Sequence, residues 1–186
     1  NNSEHVVITF DGVYSNIFDF AMPIMKKFGY VFELFITSDY IGKSNDFDVV
    51  EPEANFASKD ELSELIKAGG RLQWHSISHK NLKDIKDSKE IIFELEIPPE
   101  IKKIDNKGFS WFAYPHGEFN QEVLNETKKY FKGAVSCNQG NENDLYILNR
   151  VTVENHTKLN HNKISIIVPC YNYGAYLTEA MESILK

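Results

Sequence analysis

Apolar residues first gather in His5–Phe10 (HVVITF), a β-branched run that stops at Asp11-Gly12. This reads as a buried strand that delivers a carboxylate at its C-terminal end. Ile17, Phe20, Ala21, Ile24, Met25 and Phe28 then recur at three- and four-residue spacing before Gly29. The spacing predicts an amphipathic helix, with Pro23 in an early turn and the glycine as its stop. Val31–Ile36 (VFELFI) is a second strand. Ser58-Lys59-Asp60-Glu61 has the form of a capping box, Leu62, Leu65 and Ile66 supply the apolar stripe, and Gly69-Gly70 closes that helix. Arg71–Trp74 is a short strand that runs directly into His75-Ser76-Ile77-Ser78-His79.

The alternation continues. A helical stretch around Ser88–Leu95 is broken by Pro98-Pro99, and Phe109–Tyr114 (FSWFAY) is strand-like and ends in Pro115-His116-Gly117. A helix through Glu122–Phe131 stops at Gly133, and Ala134–Cys137 opens another strand. Strand and helix in alternation predict an α/β fold with a parallel sheet, whose chemistry gathers at the carboxyl ends of the strands. Asp11, His75, His79 and His116 all fall just past predicted strand ends.

Asn138–Asp144 (NQGNEND) is a polar loop, and residues 154–163 (ENHTKLNHNK) have the look of an interdomain linker. After them Ile164–Val168 is a strand, followed by a helix carrying Leu177, Met181, Ile184 and Leu185. This divides the chain into a first domain over 1–153, a linker over 154–163 and the opening of a second unit over 164–186.

Composition narrows the function classes. With 42% hydrophobic residues in 186, the chain can build a core, and a net charge of −7 argues against a surface that coats nucleic acid. No run approaches the length of a membrane span. Two cysteines, Cys137 and Cys170, are too few for a disulfide framework and read as reduced core thiols of a cytoplasmic protein. The start has neither an initiator Met nor an apolar leader, as expected of a piece of a longer protein. Only Arg71 and Arg150 among the 20 basic residues are arginine, which reads as coding bias.

His75 and His79 are four positions apart, so on a helical turn both imidazoles would face one way and could chelate one ion. Two histidines alone are a weak signal. A carboxylate on a neighbouring strand end strengthens it, because Asp with two His and open positions suits a divalent Lewis acid. Trp74 and Trp111 could stack on sugar rings, although their places in strands favour core packing.

The motifs together resemble the polysaccharide deacetylase family (NodB homology domain, carbohydrate esterase family 4) over residues 5–153. Thr9-Phe10-Asp11-Gly12 stands where that family has Thr-Phe-Asp-Asp-Gly, and Ala21-Met22-Pro23-Ile24 resembles its Ala-x-Pro helix. His75-Ser76-Ile77-Ser78-His79 matches its second motif, and Phe112-Ala113-Tyr114-Pro115-His116-Gly117 its third. The resemblance implies a distorted, incomplete (β/α) barrel and zinc-type hydrolysis of N- or O-linked acetyl groups on a polysaccharide. It implies a catalytic role for Asp11 and His116, a divalent transition metal, zinc above all, on His75, His79 and Asp11, and substrate contacts from Tyr114, Pro115 and Trp74.

The chain also departs from the family pattern. Aligned without a gap, Asp11 falls on the general base and Gly12 on the metal-binding Asp, and glycine offers no ligand. Ala113 stands where many members carry an Arg that orients the base. No clear late Leu-x-His segment supplies a general acid; His156 is the nearest candidate. Three arrangements follow. Asp11 shifts to the metal; Asp39 or Glu118 completes the shell; or the domain keeps the fold as a carbohydrate-binding or structural module without activity.

Residues 164–186 resemble the opening of a family 2 glycosyltransferase, with Ser165, Pro169, Tyr171 and Asn172 on its Ser-x-x-x-Pro-x-Tyr-Asn motif. The resemblance implies a parent protein that also builds the glycan. The acidic metal motif of such a transferase would lie further along, so this segment alone would not transfer sugar.

Overall fold

The computed structural model describes residues 7–46, 53–137, 143–152 and 165–167. Their strands are β1 (Val7–Asp11), β2 (Phe32–Ile36), β3 (Gly70–Trp74), β4 (Trp111–Ala113), β5 (Gly133–Cys137), β6 (Leu148–Thr152) and β7 (Ser165–Ile167). The helices are α1 (Ile17–Phe28), α2 (Lys59–Lys67), α3 (Ser88–Leu95), α4 (Pro99–Lys102) and α5 (Gln121–Tyr130). All paired strands run parallel, in sequence order, and β7 pairs with β1 to close the ring. Among the described residues there are seven strands where a full (β/α) barrel has eight, so the barrel is incomplete.

The wall is also distorted. Between β3 and β4 a single residue pair, Trp74 with Phe112, is in register. The Gln73 side-chain oxygen accepts the N–H groups of Ser110 and Trp111, at 2.9 and 2.8 Å, and so replaces backbone pairing there. This is why β4 is shorter than the Phe109–Tyr114 strand the sequence predicts.

The helices form as their patterns require. Ser58 and Glu61 close the capping box of α2, with Ser58 N–H to Glu61 Oε2 at 2.7 Å and Glu61 N–H to Ser58 Oγ at 3.3 Å. In α1, Ile17, Ala21, Met22, Ile24 and Met25 are buried. Pro23 lies inside that helix and not in an early turn. It is exposed, so the carbonyl that loses its N–H partner faces water, and burial of the opposite stripe holds the helix together. No helix among the described residues is long and apolar enough to cross a membrane.

The linker 154–163, His156, Cys170 and residues 168–186 lie outside the described residues. Ser165–Ile167, which the sequence assigns to a second unit, stands here in register with Val7–Thr9 on one side and Val151–Thr152 on the other. Removing residues 164–186 would expose the edges of β1 and β6. The expected result is a melting temperature lower by about 2–4 °C for each kcal/mol of lost pairing. A cooperative transition at the parent's temperature would instead place the strand in a separate unit.

Candidate active site

Because the strands are parallel, their carboxyl ends gather at one mouth. Asp11 ends β1, His75 follows β3, His116 lies in the turn after β4, Cys137 ends β5, and Arg150 lies within β6. Asp11 and Arg150 form a two-pronged pair: Nη1 donates to Oδ1 at 2.8 Å and Nη2 to Oδ2 at 2.6 Å. Nη1 also donates to Thr9 Oγ1 at 3.1 Å, and the guanidinium lies 5.3 Å from the centre of the Phe35 ring. The Arg150 side chain is wholly buried, whereas that of Asp11 keeps 21% of its surface open, so the carboxylate can be reached from solvent. Burial alone would raise the Asp11 carboxyl. The Arg150 charge and hydrogen bonds, together with His75 and His79, outweigh it and hold the group below its ordinary value.

Sequence reasoning missed Arg150 and the strand that carries it. Ala113 indeed offers no guanidinium; here one reaches Asp11 from β6. The signal was present in the apolar and β-branched run around Arg150, one of only two arginines in the chain.

The two histidines meet, but not on a helical turn. Residues 75–80 are irregular, and Ser76 and His79 sit in the left-handed region at φ 69° and 59°. His116 does so too, at φ 59°. Such conformations are uncommon for residues other than glycine and store strain that the surroundings must hold. His75 Nδ1 lies 2.7 Å from the Ala113 carbonyl, which can only accept, so Nδ1 carries the proton. His75 Nε2 therefore has a free lone pair. The contact of 3.1 Å to His79 Nε2 is then a hydrogen bond donated by His79. Burial lowers the pKa of both rings, that of His79 to about 3, with the neighbouring His75 and His116 adding to the effect there. Both are neutral at physiological pH. The His116 ring is 4.8 Å from that of His79, and its side chain is exposed.

These donors fit a divalent transition ion on three counts: neutral imidazoles, Nε2 atoms facing one another, and one ring fixed by a hydrogen bond from its other nitrogen. Among the described residues, His75, His79 and Asp11 do not form a group of three placed to hold a metal; both Asp11 oxygens accept from Arg150. Nor does any other group of three His, Cys, Asp or Glu among the described residues stand ready to hold a metal. Asp39 is exposed, and Glu118 is taken up by Asn81 and Lys83. At Gly12, φ is +58°, and a Cβ there would meet Phe56 Cε1 at 3.4 Å and Tyr14 Cε2 at 3.8 Å.

The expected substrate contacts are corrected in part. Trp74 is fully buried and its indole N–H donates to the Glu94 carbonyl at 2.9 Å, so it is a core residue and presents no face to a sugar. Tyr114 is likewise buried; its hydroxyl donates to the Tyr146 carbonyl at 3.0 Å, and burial raises its pKa. Pro115 is buried beneath the His116 turn.

A family model described as polysaccharide deacetylase matches residues 1–131. The chain is 26% identical over 159 residues to YxkH of Bacillus subtilis, covering 80% of this chain and 51% of that protein. It is 29% identical over 156 residues to the poly-beta-1,6-N-acetyl-D-glucosamine N-deacetylase of Staphylococcus aureus, covering 76% and 52%. The chain thus spans about half the length of these curated relatives. The crystal structure of BA3943 of Bacillus anthracis, described as a CE4 family pseudoenzyme, superposes with a TM-score of 0.71 at 17% identity, covering 99% of this chain and 61% of that one. A likeness at that identity speaks for the fold alone. The family match takes in β1 to α5, with Asp11, the histidine pair and the His116 turn inside it, so the chain belongs to the polysaccharide deacetylase family.

Proposed function

We propose that this domain hydrolyses acetyl groups, amide-linked above all, from a polysaccharide, with Asp11 as general base. The carrying observation is the Asp11–Arg150 pair at the mouth of the barrel: an ionised, oriented carboxylate, partly open to solvent, beside two neutral imidazoles. Each carboxylate oxygen keeps a second lone-pair direction, so Asp11 can take the proton of an attacking water while Arg150 fixes its orientation. His75 and His79 would hold a divalent transition ion, with zinc suited to imidazole donors. When bound, such an ion supplies Lewis acidity towards the acetyl carbonyl. His116, at the rim with its ring 4.8 Å from that of His79, is the candidate for the acid at the departing amine. Relatives named for poly-beta-1,6-N-acetyl-D-glucosamine support an N-acetylated glucosamine polymer as substrate class.

A second reading has its own support. Gly12 offers no ligand, and among the described residues no group of three completes the histidine pair, so a domain that binds glycan without hydrolysing it is consistent with the same geometry. The Ser165, Pro169, Tyr171 and Asn172 motif supports a glycosyltransferase unit in the same polypeptide as partner, while the pairing of Ser165–Ile167 with β1 and β6 speaks against it. Acetate release from a β-1,6-linked N-acetylglucosamine oligomer, in zinc-supplemented buffer, separates the two functions. Release by the parent protein and none by Asp11→Asn is the expected result. No release by the parent, or equal release by both, overturns the hydrolase.

A further inference from the structure

The segment between the two histidines has none of the i→i+4 hydrogen bonds of a helix, yet its backbone is densely bonded. The carbonyls of His75, Ser76, Ile77 and Ser78 accept from Thr37 Oγ1, Ser38 N–H, Asp39 N–H and Tyr40 Oη–H in turn. Three N–H groups of the loop are matched by side chains. His79 N–H donates to Ser76 Oγ at 3.0 Å. Ile77 N–H and Ser78 N–H both donate to Glu94 Oε2, at 3.0 and 2.9 Å, and Ser78 Oγ–H donates to Glu94 Oε1 at 2.5 Å. Glu94, near the end of α3, is buried, and its own carbonyl takes the Trp74 indole N–H. One residue therefore grips both the end of β3 and the middle of the loop that follows.

We propose that Glu94 is the positioning residue of the histidine pair: by taking the two central amides of the loop it holds the turn in which His79 Nε2 faces His75 Nε2. The inference deepens the reading of His75 and His79 as metal donors and rests on it for its functional meaning, but its geometry can be read without metal. A buried carboxylate needs donors, and here the loop supplies three of them, all within two adjacent residues. The carbonyl bonds tether the loop to the segment after β2, whereas the Glu94 bonds fix the orientation of its central peptide planes. Those planes lie between the two left-handed residues, Ser76 and His79, whose strain the bonds to Glu94 oppose.

The test uses three substitutions in the full chain. Glu94→Gln keeps the reach: its amide oxygen can accept both N–H groups and its NH₂ can donate to Ser78 Oγ. Glu94→Asp keeps the charge but withdraws the oxygens by one methylene. Ser78→Ala removes the hydroxyl contact alone. Long-range proton–nitrogen spectra of the imidazole rings in metal-free protein should show His75 protonated at Nδ1 and His79 at Nε2 in the parent and in Glu94→Gln. In Glu94→Asp the His79 signals should average between tautomers while those of His75 persist. Zinc affinity should fall about 10–100-fold in Glu94→Asp and stay near the parent's in Glu94→Gln, as for other groups that orient a ligand.

Parent-like His79 signals in folded Glu94→Asp, or loss of them in Glu94→Gln, would overturn the positioning role. If Glu94→Asp does not fold, Ser78→Ala decides: a smaller shift of His79 in the same direction supports the role, and an unchanged spectrum refutes it. Should zinc affinity of the parent prove indifferent to His79→Ala, the metal reading fails, while the ring spectra still judge Glu94.

Discussion

Arg150→Met is expected to lower acetate release by about 10²–10⁴-fold, the usual worth of a general base, while Asp11 itself remains in place. It removes both bonds that orient the Asp11 carboxylate and leaves that group part-buried without its counter-charge. Breaking a buried pair from one side costs about 3–5 kcal/mol. The cost has a pH signature. In the parent, the Asp11 pKa is held below its ordinary 3.8, so the pair stabilises the fold above that value, and the contribution is lost as pH falls through the lowered folded pKa. In the variant, burial is no longer offset by Arg150 and pushes the carboxyl upward, so that stabilisation is lost. The gap in unfolding free energy between the two proteins should thus be full at neutral pH and shrink in acid. Denaturant titrations across that range measure it. A gap that does not change with pH would mean that Asp11 gains nothing from Arg150.

Gly12→Asp is expected to tighten zinc binding by at least about tenfold, or about 1.4 kcal/mol. A divalent ion on two neutral imidazoles lacks a compensating negative charge, and among the described residues no third ligand completes the pair, Asp11 being engaged by Arg150. A carboxylate at position 12 would supply it and leave Asp11 as base. The positive φ there costs about 1–2 kcal/mol for a residue with a Cβ, though Asp tolerates it better than most. Space is adequate, since the Phe56 and Tyr14 rings stand at 3.4 and 3.8 Å from the new atom. Calorimetric titration of both proteins decides it. Unchanged or weaker binding by folded Gly12→Asp would show that position 12 does not face the histidine pair and that the family's second Asp has no counterpart there.

The expectations that succeeded rest on local pattern. The run ending at Asp11, the capping box at Ser58 and the strand before His75 are each specified by a few adjacent residues, and the parallel barrel follows from their alternation. What was not legible depends on partners far apart in the chain. Asp11 and Arg150 are separated by 139 residues, and no periodicity reports that closure of the ring brings β6 to β1. The histidine spacing led to the right juxtaposition by the wrong geometry, because a buried Glu94 can hold a turn that mimics the reach of one helical step. Trp74 and Tyr114 look like sugar platforms by residue type, yet their N–H and O–H groups find carbonyls inside the core.

The Asp11–Arg150 pair also dictates when the site can exist. Its two halves belong to the first and the sixth strand, so nearly the whole barrel must be made before Asp11 has its partner. A nascent chain that has emerged only as far as β5 carries an unpaired carboxylate and two histidines, and its sheet has open edges on both sides. Contacts of such long sequence separation form slowly, since loop closure must precede any gain from them. The pair is therefore among the last features to assemble during synthesis, and a chain cut short before Arg150 would lack it and be prone to associate through its unpaired strands.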